Sequence, residues 1–421
     1  MKIFADLHIH SKYARATGKE LDLENLEKYA RIKGISLLGT GDFTHPKWQK
    51  EIKEKLREDE NGILWSRTGF PFIWQTEISF AYTQGGKGRR VHNLIMAPNG
   101  EVASQITEAF GKKGRLDYDG RPIFGMSSIE LADMLISISD KCMIIPAHLW
   151  TPYFGAMGSE SGFDSIEECF GDRAKFVYAV ETGLSSDPPM NWRLSRLDKY
   201  ALVSFSDLHS QWPWRMGREC TILDTEVSYK SIFNAIKTRK GLLGTVEVDP
   251  AYGKYHYDGH RACGVCMEPK ESARNQNICP KCRRKLTIGV LHRVEELADR
   301  PEGYKPENAP EFYSLIPLSE IIAEVTGTGV ASNRTWKTFY DLINRFGTEF
   351  NILLDAPQEE IEKVVDNKLA SAIIANREGK LKIQPGYDGE YGKPLFEGQP
   401  ERHLSKKDYR GITQKGLGEY F

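Results

Sequence analysis

Short apolar segments alternate with amphipathic segments over the first 245 residues of the chain. The apolar segments are rich in β-branched residues and predict seven strands, at 3–7, 36–40, 72–76, 91–96, 143–147, 176–180 and 202–206. Three of the amphipathic segments, 23–33, 128–137 and 229–239, have apolar residues at helical spacing. Strands and helices in this alternation predict a mainly parallel α/β sheet, either open or closed as a barrel.

Histidines and carboxylates follow six of these seven strands. His8 and His10 end the first strand, and residues i and i+2 share one face of an extended backbone, so both imidazoles can reach one ion. The residues after the later strands are Asp42, Glu77, His148, Glu181, and Asp207 with His209. The fourth strand differs, because His92 lies near its start. Since the carboxyl ends of parallel strands meet at one edge, the pattern predicts a single shared site.

Histidine and carboxylate without thiolate are typical ligands of Zn²⁺, Mn²⁺ or Fe, and carboxylates can bridge two ions. Such a centre lowers the pKa of a bound water to about 7 and neutralises the charge that builds on a phosphoryl group. Taken singly, each residue could equally be a hydrogen-bonded polar group of the core. Repetition at six strand ends favours a metallohydrolase site.

Composition limits the function classes. The chain has 421 residues, 40% apolar and 27% charged, which is typical of a globular protein with room for several domains. It has no apolar run of about 18 residues, so we expect no membrane partner, and a strand beginning at Ile3 argues against a secretory signal. The net charge of −1 means that any nucleic-acid contact must come from local patches. Four of the seven cysteines are clustered, which favours metal binding in a reducing, cytoplasmic location over a disulfide framework.

A second metal pattern follows a Gly-, Tyr- and His-rich linker that starts after Gly244. Two C-x-x-C pairs, Cys263 with Cys266 and Cys279 with Cys282, are separated by twelve residues. This spacing predicts a closed Cys₄ site for a structural Zn²⁺, with a redox pair as the alternative. Residues 251–290 carry eight Lys or Arg against three Asp or Glu. The basic run Arg283, Arg284 and Lys285 is therefore either a phosphate-contacting face or a solvated surface.

The C-terminal third predicts helices at 318–324, 335–346 and 357–375. The first two are joined by a turn containing Gly327 and Gly329, which is similar to a DNA-binding helix-hairpin-helix. From about Gly386 the chain is rich in Gly, Pro and charge, and we expect a flexible tail at 381–421. The chain ends in a motif that resembles the peptides that bind DNA sliding clamps. The motif residues are Gln414, Leu417, Tyr420 and Phe421. The alternative is that this tail folds back on its own protein.

The strand-end motifs, taken together, resemble those of the PHP (polymerase and histidinol phosphatase) superfamily. The matching segments are His8-Ile9-His10, Gly41-Asp42, Thr76-Glu77, Ala147-His148, Val180-Glu181 and Ser206-Asp207-Leu208-His209. The resemblance implies a distorted (βα)₇ barrel with two or three divalent ions (Zn²⁺, Mg²⁺ or Mn²⁺) that hydrolyses phosphoesters. It implies one ion held by His8, His10, Glu77 and Asp207, and a second, bridged by Glu77, on His92 and His148. A third ion would use His209 and the Asp42 region. Phe43 stands where the superfamily often has histidine, and residues 11–19 lack a clear counterpart of a further ligand.

The order of the modules resembles the endonuclease Q family over essentially the whole chain. We therefore predict a barrel at 1–245, a zinc module at 246–300, a helical domain at 301–380 and a tail at 381–421. The resemblance implies a metal-dependent nuclease that nicks double- or single-stranded DNA 5′ to a deaminated base (hypoxanthine, uracil or xanthine) or an abasic site, leaving 3′-hydroxyl and 5′-phosphate ends. A flipped base could stack on aromatic residues near the barrel mouth, or these could be core packing: Trp150, Tyr153, Trp212 and Trp214. Two alternatives are a PHP phosphatase for a small phosphomonoester and a DNA-binding adaptor with an inactive barrel.

Overall fold

The computed structural model describes residues 1–395. Its strands are β1 (Lys2–Asp6), β2 (Leu37–Gly39), β3 (Arg57–Glu58), β4 (Leu64–Trp65), β5 (Pro71–Gln84), β6 (Lys87–Ala97), β7 (Ile123–Phe124), β8 (Met143–Pro146), β9 (Ala179–Glu181), β10 (Ala201–Val203), β11 (Cys220–Asp224), β12 (Leu242–Glu247), β13 (Asp258–His260), β14 (Val265–Met267), β15 (Glu311–Ser314), β16 (Lys382–Gln384) and β17 (Lys393–Leu395). Its α-helices are α1 (Leu23–Lys33), α2 (Pro46–Lys55), α3 (Gly100–Gly111), α4 (Ser128–Ile138), α5 (Ile166–Phe170), α6 (Pro188–Trp192), α7 (Tyr229–Thr238), α8 (Pro269–Arg274), α9 (Val290–Leu297), α10 (Leu318–Thr326), α11 (Asn333–Phe346), α12 (Gln358–Ile361) and α13 (Asn367–Arg377).

All seven predicted strands are present, but the main sheet is mixed rather than mainly parallel. Its order is β15-β12-β11-β1-β2-β5-β4-β3, with β6 and β7 on β5 and β8 on β6. Strands β1, β2 and β5 are parallel, whereas β5 and β6 form a long antiparallel hairpin. Gly85 and Gly86, with φ of 61° and 74°, make the two-residue turn that suits the twist of a hairpin. This turn makes the fourth predicted strand antiparallel.

The remaining wall strands form a small parallel sheet of β9 and β10. An isolated bridge between Ile144 and Val177 links β8 to the segment before β9. On the other side, Ser204 N donates to Thr221 Oγ1 and Thr221 Oγ1 donates to Ser204 O, each at 3.0 Å. These contacts join the end of β10 to β11, so the strands together form a distorted barrel wall around the site.

Local sequence signals fix the helices that cover this wall. Asp22 accepts a hydrogen bond from Asn25 N at the start of α1, and Gly34 ends that helix with φ of 99°. At the start of α4, Ser127 and Glu130 form a capping box. The inward faces of these helices are buried, so each predicted amphipathic segment packs on the sheet.

The barrel sheet takes one strand from beyond the predicted boundary at 245. Strand β15 pairs in parallel with β12, from Gly244 opposite Glu311 to Glu247 opposite Ser314. A Cβ at position 244 would lie 2.0 Å from Glu311 O, so glycine allows this close approach. The predicted helix at 357–375 is also divided into α12 and α13, because Asp366 caps a new helix by accepting from Leu369 N.

Residues 381–395, which we predicted to be part of a flexible tail, are folded. Strands β16 and β17 form a hairpin, and the loop between them binds the zinc module. Asp388 accepts hydrogen bonds from Arg261 N at 2.6 Å and from Thr287 Oγ1 at 2.7 Å. Tyr387 is buried against Gly259. Burial of aromatic side chains thus outweighs the loop-like composition. The predicted clamp-binding residues lie in 396–421, outside the described residues.

The helical domain packs on the barrel through a buried ion pair and an aromatic cluster. Lys33 Nζ, at the end of α1, lies 2.7 Å from Glu349 Oε1, and the two side chains are 1% and 0% exposed. Trp212 and Trp214 stack with an interplanar angle of 4°, and both contact Trp336 of α11 at about 5.5 Å between ring centroids. These two indoles are therefore packing residues between domains. In residues 1–395 we find no helix with the length and apolar character of a membrane span.

Candidate metal centre

Two groups of ligand atoms converge at the carboxyl ends of the barrel strands. His8, His10, Glu77 and Asp207 form the first group, in which all ligand atoms lie within 4.8 Å of one another. Glu77, His92 and His148 form the second, within the same limit. Glu77 belongs to both groups: His92 Nδ1 lies 2.8 Å from its Oε1 and His10 Nε2 lies 3.2 Å from its Oε2. A carboxylate shared by both groups is in a position to bridge two ions, and this role of Glu77 stays a prediction.

The donor atoms of the first group fit a divalent ion. His8 Nε2, His10 Nε2 and Asp207 Oδ1 are buried and have no hydrogen-bond partner in the described structure. Buried polar atoms without partners are costly in a protein interior, and these three lie close together. A divalent cation would satisfy all of them, so the residues fit metal binding.

Asp42 and Glu181 orient the ligands rather than joining either ligand group. Asp42 Oδ1 lies 2.9 Å from His10 Nδ1, and its Oδ2 accepts from the Ser11 amide and hydroxyl. Glu181 Oε1 lies 2.9 Å from His8 Nδ1, and Oε2 accepts from His148 N at 2.5 Å. A carboxylate on the far nitrogen fixes the tautomer of a ligating imidazole and directs Nε2 to the ion. The structure therefore gives both residues an orienting position instead of the predicted ligand position.

His209, predicted as a ligand of a third ion, also lies outside the two groups formed by the described residues. Its Nδ1 lies 2.9 Å from Asp207 O, and its ring centroid lies 4.6 Å from that of His10. The third ion therefore stays a prediction.

Three of these residues have strained backbones at the strand ends. Asp42, His148 and Asp207 have φ of 43°, 31° and 47°, in the left-handed region that non-glycine residues seldom adopt. Gly183 makes room for the turn at His148, because a Cβ on this glycine would lie 2.7 Å from His148 Cβ. Strain of this kind persists where the surrounding structure holds a functional geometry.

The charges of the centre shift the proton affinities of its members. Burial opposes ionisation of Glu77, but His92 and further positive neighbours hold its pKa well below the ordinary value. Burial also opposes ionisation of Asp207, and His209 in turn holds the pKa of this acid well below its ordinary value. Burial lowers the pKa of His92 and of His209 to about 4.

Burial opposes the charge of His8 and His10, but Glu181 raises the pKa of His8 and Asp42 raises that of His10 well above the ordinary value. The carboxylates and the neutral His92 are in forms that bind metals, and an ion would displace the protons of His8 and His10.

The centre also contains a cation that no sequence pattern predicts, Arg121. Its Nη1 donates to Glu77 Oε2 at 2.9 Å, and its side chain is 25% exposed. No ligand-like motif marks this residue, because it lies in a loop before the two-residue strand β7.

A cavity of about 410 Å³ adjoins the metal-ligand groups. Asp207, His148 and His92 are among the residues that line it. The other walls combine apolar or aromatic side chains with cations, among them Phe154, Leu184, Phe205, Tyr255, Tyr391, Arg215, Arg218 and Lys254. Trp150 and Tyr153 are not among the residues that line the cavity. Trp150 is 1% exposed and donates to Asn191, whereas Tyr153 is exposed and its ring centroid lies 6.3 Å from that of Tyr255.

The zinc module brings together three of the four predicted cysteines. Cys263, Cys279 and Cys282 form a group of possible ligands with His260, and Cys282 Sγ lies 3.3 Å from His260 Nδ1. Cys266 lies outside this group, contrary to the predicted Cys₄ set. It alternates along β14 with the buried residues Val265 and Met267, so its side chain is on the opposite face of the hairpin from His260.

The predicted DNA-contacting residues are exposed. Arg283, Arg284 and Lys285 are on the surface of the zinc module. Gly327 and Gly329 are exposed, and a Cβ on either would meet nothing within 4 Å. Ser332 caps α11 directly after this turn by accepting from Thr335 N. Open backbone at a helix N-terminus is suited to phosphate contact.

Comparisons with known proteins match both the whole chain and its helical part. The family model of the MJ0043 C-terminal domain matches residues 317–380. The uncharacterized protein MJ0043 of Methanocaldococcus jannaschii is 35% identical over 243 residues, which are 56% of this chain but only 30% of that protein. The crystal structure of the lesion-specific endonuclease PfuEndoQ of Pyrococcus furiosus has a TM-score of 0.84 and 31% identity, covering 98% of this chain and 100% of that chain. A structure of endonuclease Q with a 27-mer duplex substrate, with an abasic lesion at the active site, has a TM-score of 0.85 and 32% identity, covering 96% and 98%.

Proposed function

Since this chain belongs to the endonuclease Q family, we propose that it is a metal-dependent DNA repair endonuclease. It would nick the phosphodiester bond 5′ to a deaminated base or an abasic site and leave 3′-hydroxyl and 5′-phosphate ends. The observation that carries this proposal is the pair of ligand groups that share Glu77, three of whose members, His92, His148 and Asp207, line a cavity of about 410 Å³. The cavity would receive the extruded lesion while its phosphate lies over the ligands.

The residues of the centre have separable tasks in this proposal. His8, His10, Glu77 and Asp207 would hold one ion, and His92 and His148 would hold a second with Glu77. When bound, such ions supply an activated water and neutralise charge on the phosphoryl group. Asp42 and Glu181 fix the imidazole tautomers.

The walls of the cavity support selection of a damaged nucleotide. Phe154, Tyr255 and Tyr391 offer apolar and aromatic surface for a base, and Lys254 and Arg215 offer positive charge for its flanking phosphates. Extrusion costs a few kcal/mol and is cheapest for mispaired, damaged or missing bases, so selectivity begins with that cost. Hypoxanthine, uracil and xanthine are the bases we propose.

DNA outside the cavity would contact two further surfaces. The turn at Gly327 and Gly329 would approach a phosphate with its backbone amides, and the basic run 283–285 would contribute counterion release. A structural Zn²⁺ would hold the second surface together. We also propose that Gln414, Leu417, Tyr420 and Phe421 bind a sliding clamp, which a truncation after residue 410 would test by loss of clamp binding with unchanged incision of short duplexes.

Incision of end-labelled duplexes tests the main proposal. Each duplex contains one hypoxanthine, uracil or abasic site and is incubated with the protein in Mg²⁺ or in EDTA. Hydrolysis of p-nitrophenyl phosphate is measured in parallel. We expect a single nick 5′ to the lesion that requires the metal. Hydrolysis of p-nitrophenyl phosphate while the duplexes remain uncut would favour the phosphatase alternative.

The variant Asp207→Asn provides the matched active-site test. It removes a negative ligand from the first group but keeps its shape, so we expect at least a 100-fold loss of incision with DNA binding retained. Near-normal turnover by this variant would contradict the assignment of the metal centre.

A further inference from the structure

Arg121 places a guanidinium directly against the bridging carboxylate. Its Nη1 donates to Glu77 Oε2 at 2.9 Å, and this is the one hydrogen bond of the guanidinium to described residues. The group has five N–H donors in a fixed fork, so four remain without a protein partner there. Burial opposes its charge, but Glu77 and Asp207 raise the pKa of Arg121 further above its ordinary high value.

The loop that carries Arg121 is fixed in the centre by close packing. A Cβ on Gly120 would lie 2.4 Å from Asp42 Oδ2, so only glycine lets this loop lie on the residue that orients His10. Gly120 N donates to Tyr13 O at 3.0 Å, and Arg121 N donates to Asp119 Oδ1 at 3.1 Å. Ser79 N, on β5 two residues after Glu77, donates to Pro122 O at 3.1 Å. Arg121 is therefore held on both sides rather than reaching in from the surface.

A guanidinium with free donors beside two metal-ligand groups is suited to a phosphate oxygen. Planar forks bind phosphate through paired N–H bonds, and such charge-assisted bonds are stronger than neutral ones. One N–H of the fork is used by Glu77, and the Arg121 side chain is 25% exposed. An arginine that served only to neutralise Glu77 in the protein would need no such exposure.

We propose that Arg121 binds a non-bridging oxygen of the scissile phosphate and positions it over the ligand groups. This inference rests on the proposed phosphodiesterase function. Glu77 sets the position of the guanidinium, and the fork then fixes the position and rotation of the phosphate. Arg121 would thus contribute both to DNA affinity and to the stabilisation of charge during bond cleavage.

The test compares Arg121→Met and Arg121→Lys with the control Arg115→Met. Arg115 is on the same loop, bonds the exposed Asp117, and its side chain is 75% exposed. Binding of an abasic duplex is measured by fluorescence anisotropy without added Mg²⁺ at several salt concentrations. Loss of one phosphate contact should reduce the slope of log K against log salt by about 1 for Arg121→Met and leave that of Arg115→Met unchanged.

Incision and metal affinity complete the test. With Mg²⁺, we expect Arg121→Met to lower kcat/KM at least 100-fold, with partial recovery in Arg121→Lys, which keeps the charge but loses the fork. An unchanged salt slope with incision within twofold of wild type would overturn the inference, as would a change confined to metal affinity by calorimetry. Should Arg121→Met fail to fold, Arg121→Lys decides: full activity in that variant contradicts the role of the fork.

Hydrolysis of bis(p-nitrophenyl) phosphate separates this inference from the proposed function. Wild-type protein that cleaves this diester but no lesion duplex would disprove the DNA function, and an Arg121→Met defect on the diester would still support phosphate binding. If Arg121→Met incises lesion duplexes as fast as wild type does, the proposed role of Arg121 is rejected and the proposed DNA function is not affected.

Discussion

Replacing Glu219 by Gln should stabilise the protein at alkaline pH. Glu219 and Glu247 are both fully buried in the barrel, with Ser204 between them. Ser204 Oγ lies 3.0 Å from Glu219 Oε2 and 2.9 Å from Glu247 Oε2. A hydroxyl has one proton and can donate to only one of them, so the other carboxyl must carry a proton of its own to complete the contact. Burial raises the pKa of Glu219 from 4.5 to about 8, and burial beside Glu219 raises that of Glu247 well above its ordinary value.

The sign of the effect follows from proton binding. Between pH 4.5 and about 8, the folded protein keeps a proton on Glu219 that the unfolded chain has released, so the free energy of unfolding falls as pH rises through this window. At about 1.4 kcal/mol per tenfold change in proton affinity, the loss by pH 8 is at most about 4 kcal/mol. The glutamine side chain of the Glu219→Gln variant would resemble the protonated acid: its oxygen can accept from Val248 N and its amide can donate to Ser204 Oγ.

Thermal unfolding of wild type and Glu219→Gln at pH 5 and pH 8 measures this difference. We expect similar midpoints at pH 5 and a higher midpoint for the variant at pH 8. The shift should be about 1 °C per kcal/mol, because the entropy of unfolding is about 2.1 cal/mol/K per residue over 421 residues. Glu60 is exposed, so Glu60→Gln is the matched control. Its midpoints at pH 5 and pH 8 should differ from those of wild type by much less than the difference expected for Glu219→Gln at pH 8. An equal difference between variant and wild type at the two pH values would refute the reasoning.

Three further predictions follow from other contacts. Glu181→Gln weakens the hold on His8 and should lower divalent-metal affinity about 10- to 100-fold by calorimetry, while equal affinities would contradict the orienting role. Lys33→Met leaves Glu349 buried without a cation and should lower the free energy of unfolding by about 3–5 kcal/mol in denaturant titrations. The double variant Lys33→Met/Glu349→Leu should recover part of this loss. If the double variant is no more stable than Lys33→Met, the ion pair does not explain the loss. Cys279→Ser should remove one zinc per chain by elemental analysis, and unchanged zinc would contradict the proposed site.

The strand pattern was enough to predict which residues come together in the two groups of possible ligands. Period-two geometry placed His8 and His10 on one face, and the strand-end rule brought in Glu77, His148 and Asp207 from distant parts of the sequence. Neither rule distinguishes a metal ligand from a carboxylate that hydrogen-bonds to a ligand and orients it. Asp42 and Glu181 also follow strands, and their contact with the far nitrogens of the imidazoles depends on side-chain direction at those strand ends.

The features that the sequence did not predict depend on packing between distant segments. Arg121 enters the centre because Gly120 fits against Asp42, a contact across 78 positions that no local pattern encodes. Tyr391 lines the cavity because its hairpin is bound by the zinc module, although the surrounding composition is typical of a loop. The direction of Cys266 likewise follows from the register of β13 and β14.

Strand β15 has a consequence for any attempt to divide the chain. The family model treats 317–380 as a unit, yet the segment just before it completes the edge of the barrel sheet beside β12. A fragment ending near residue 300 would expose the hydrogen-bonding edge of β12 and leave Lys33 without Glu349. Expressed barrels of that length should therefore self-associate, and the nuclease and its helical partner are better regarded as one inseparable folding unit than as interchangeable parts.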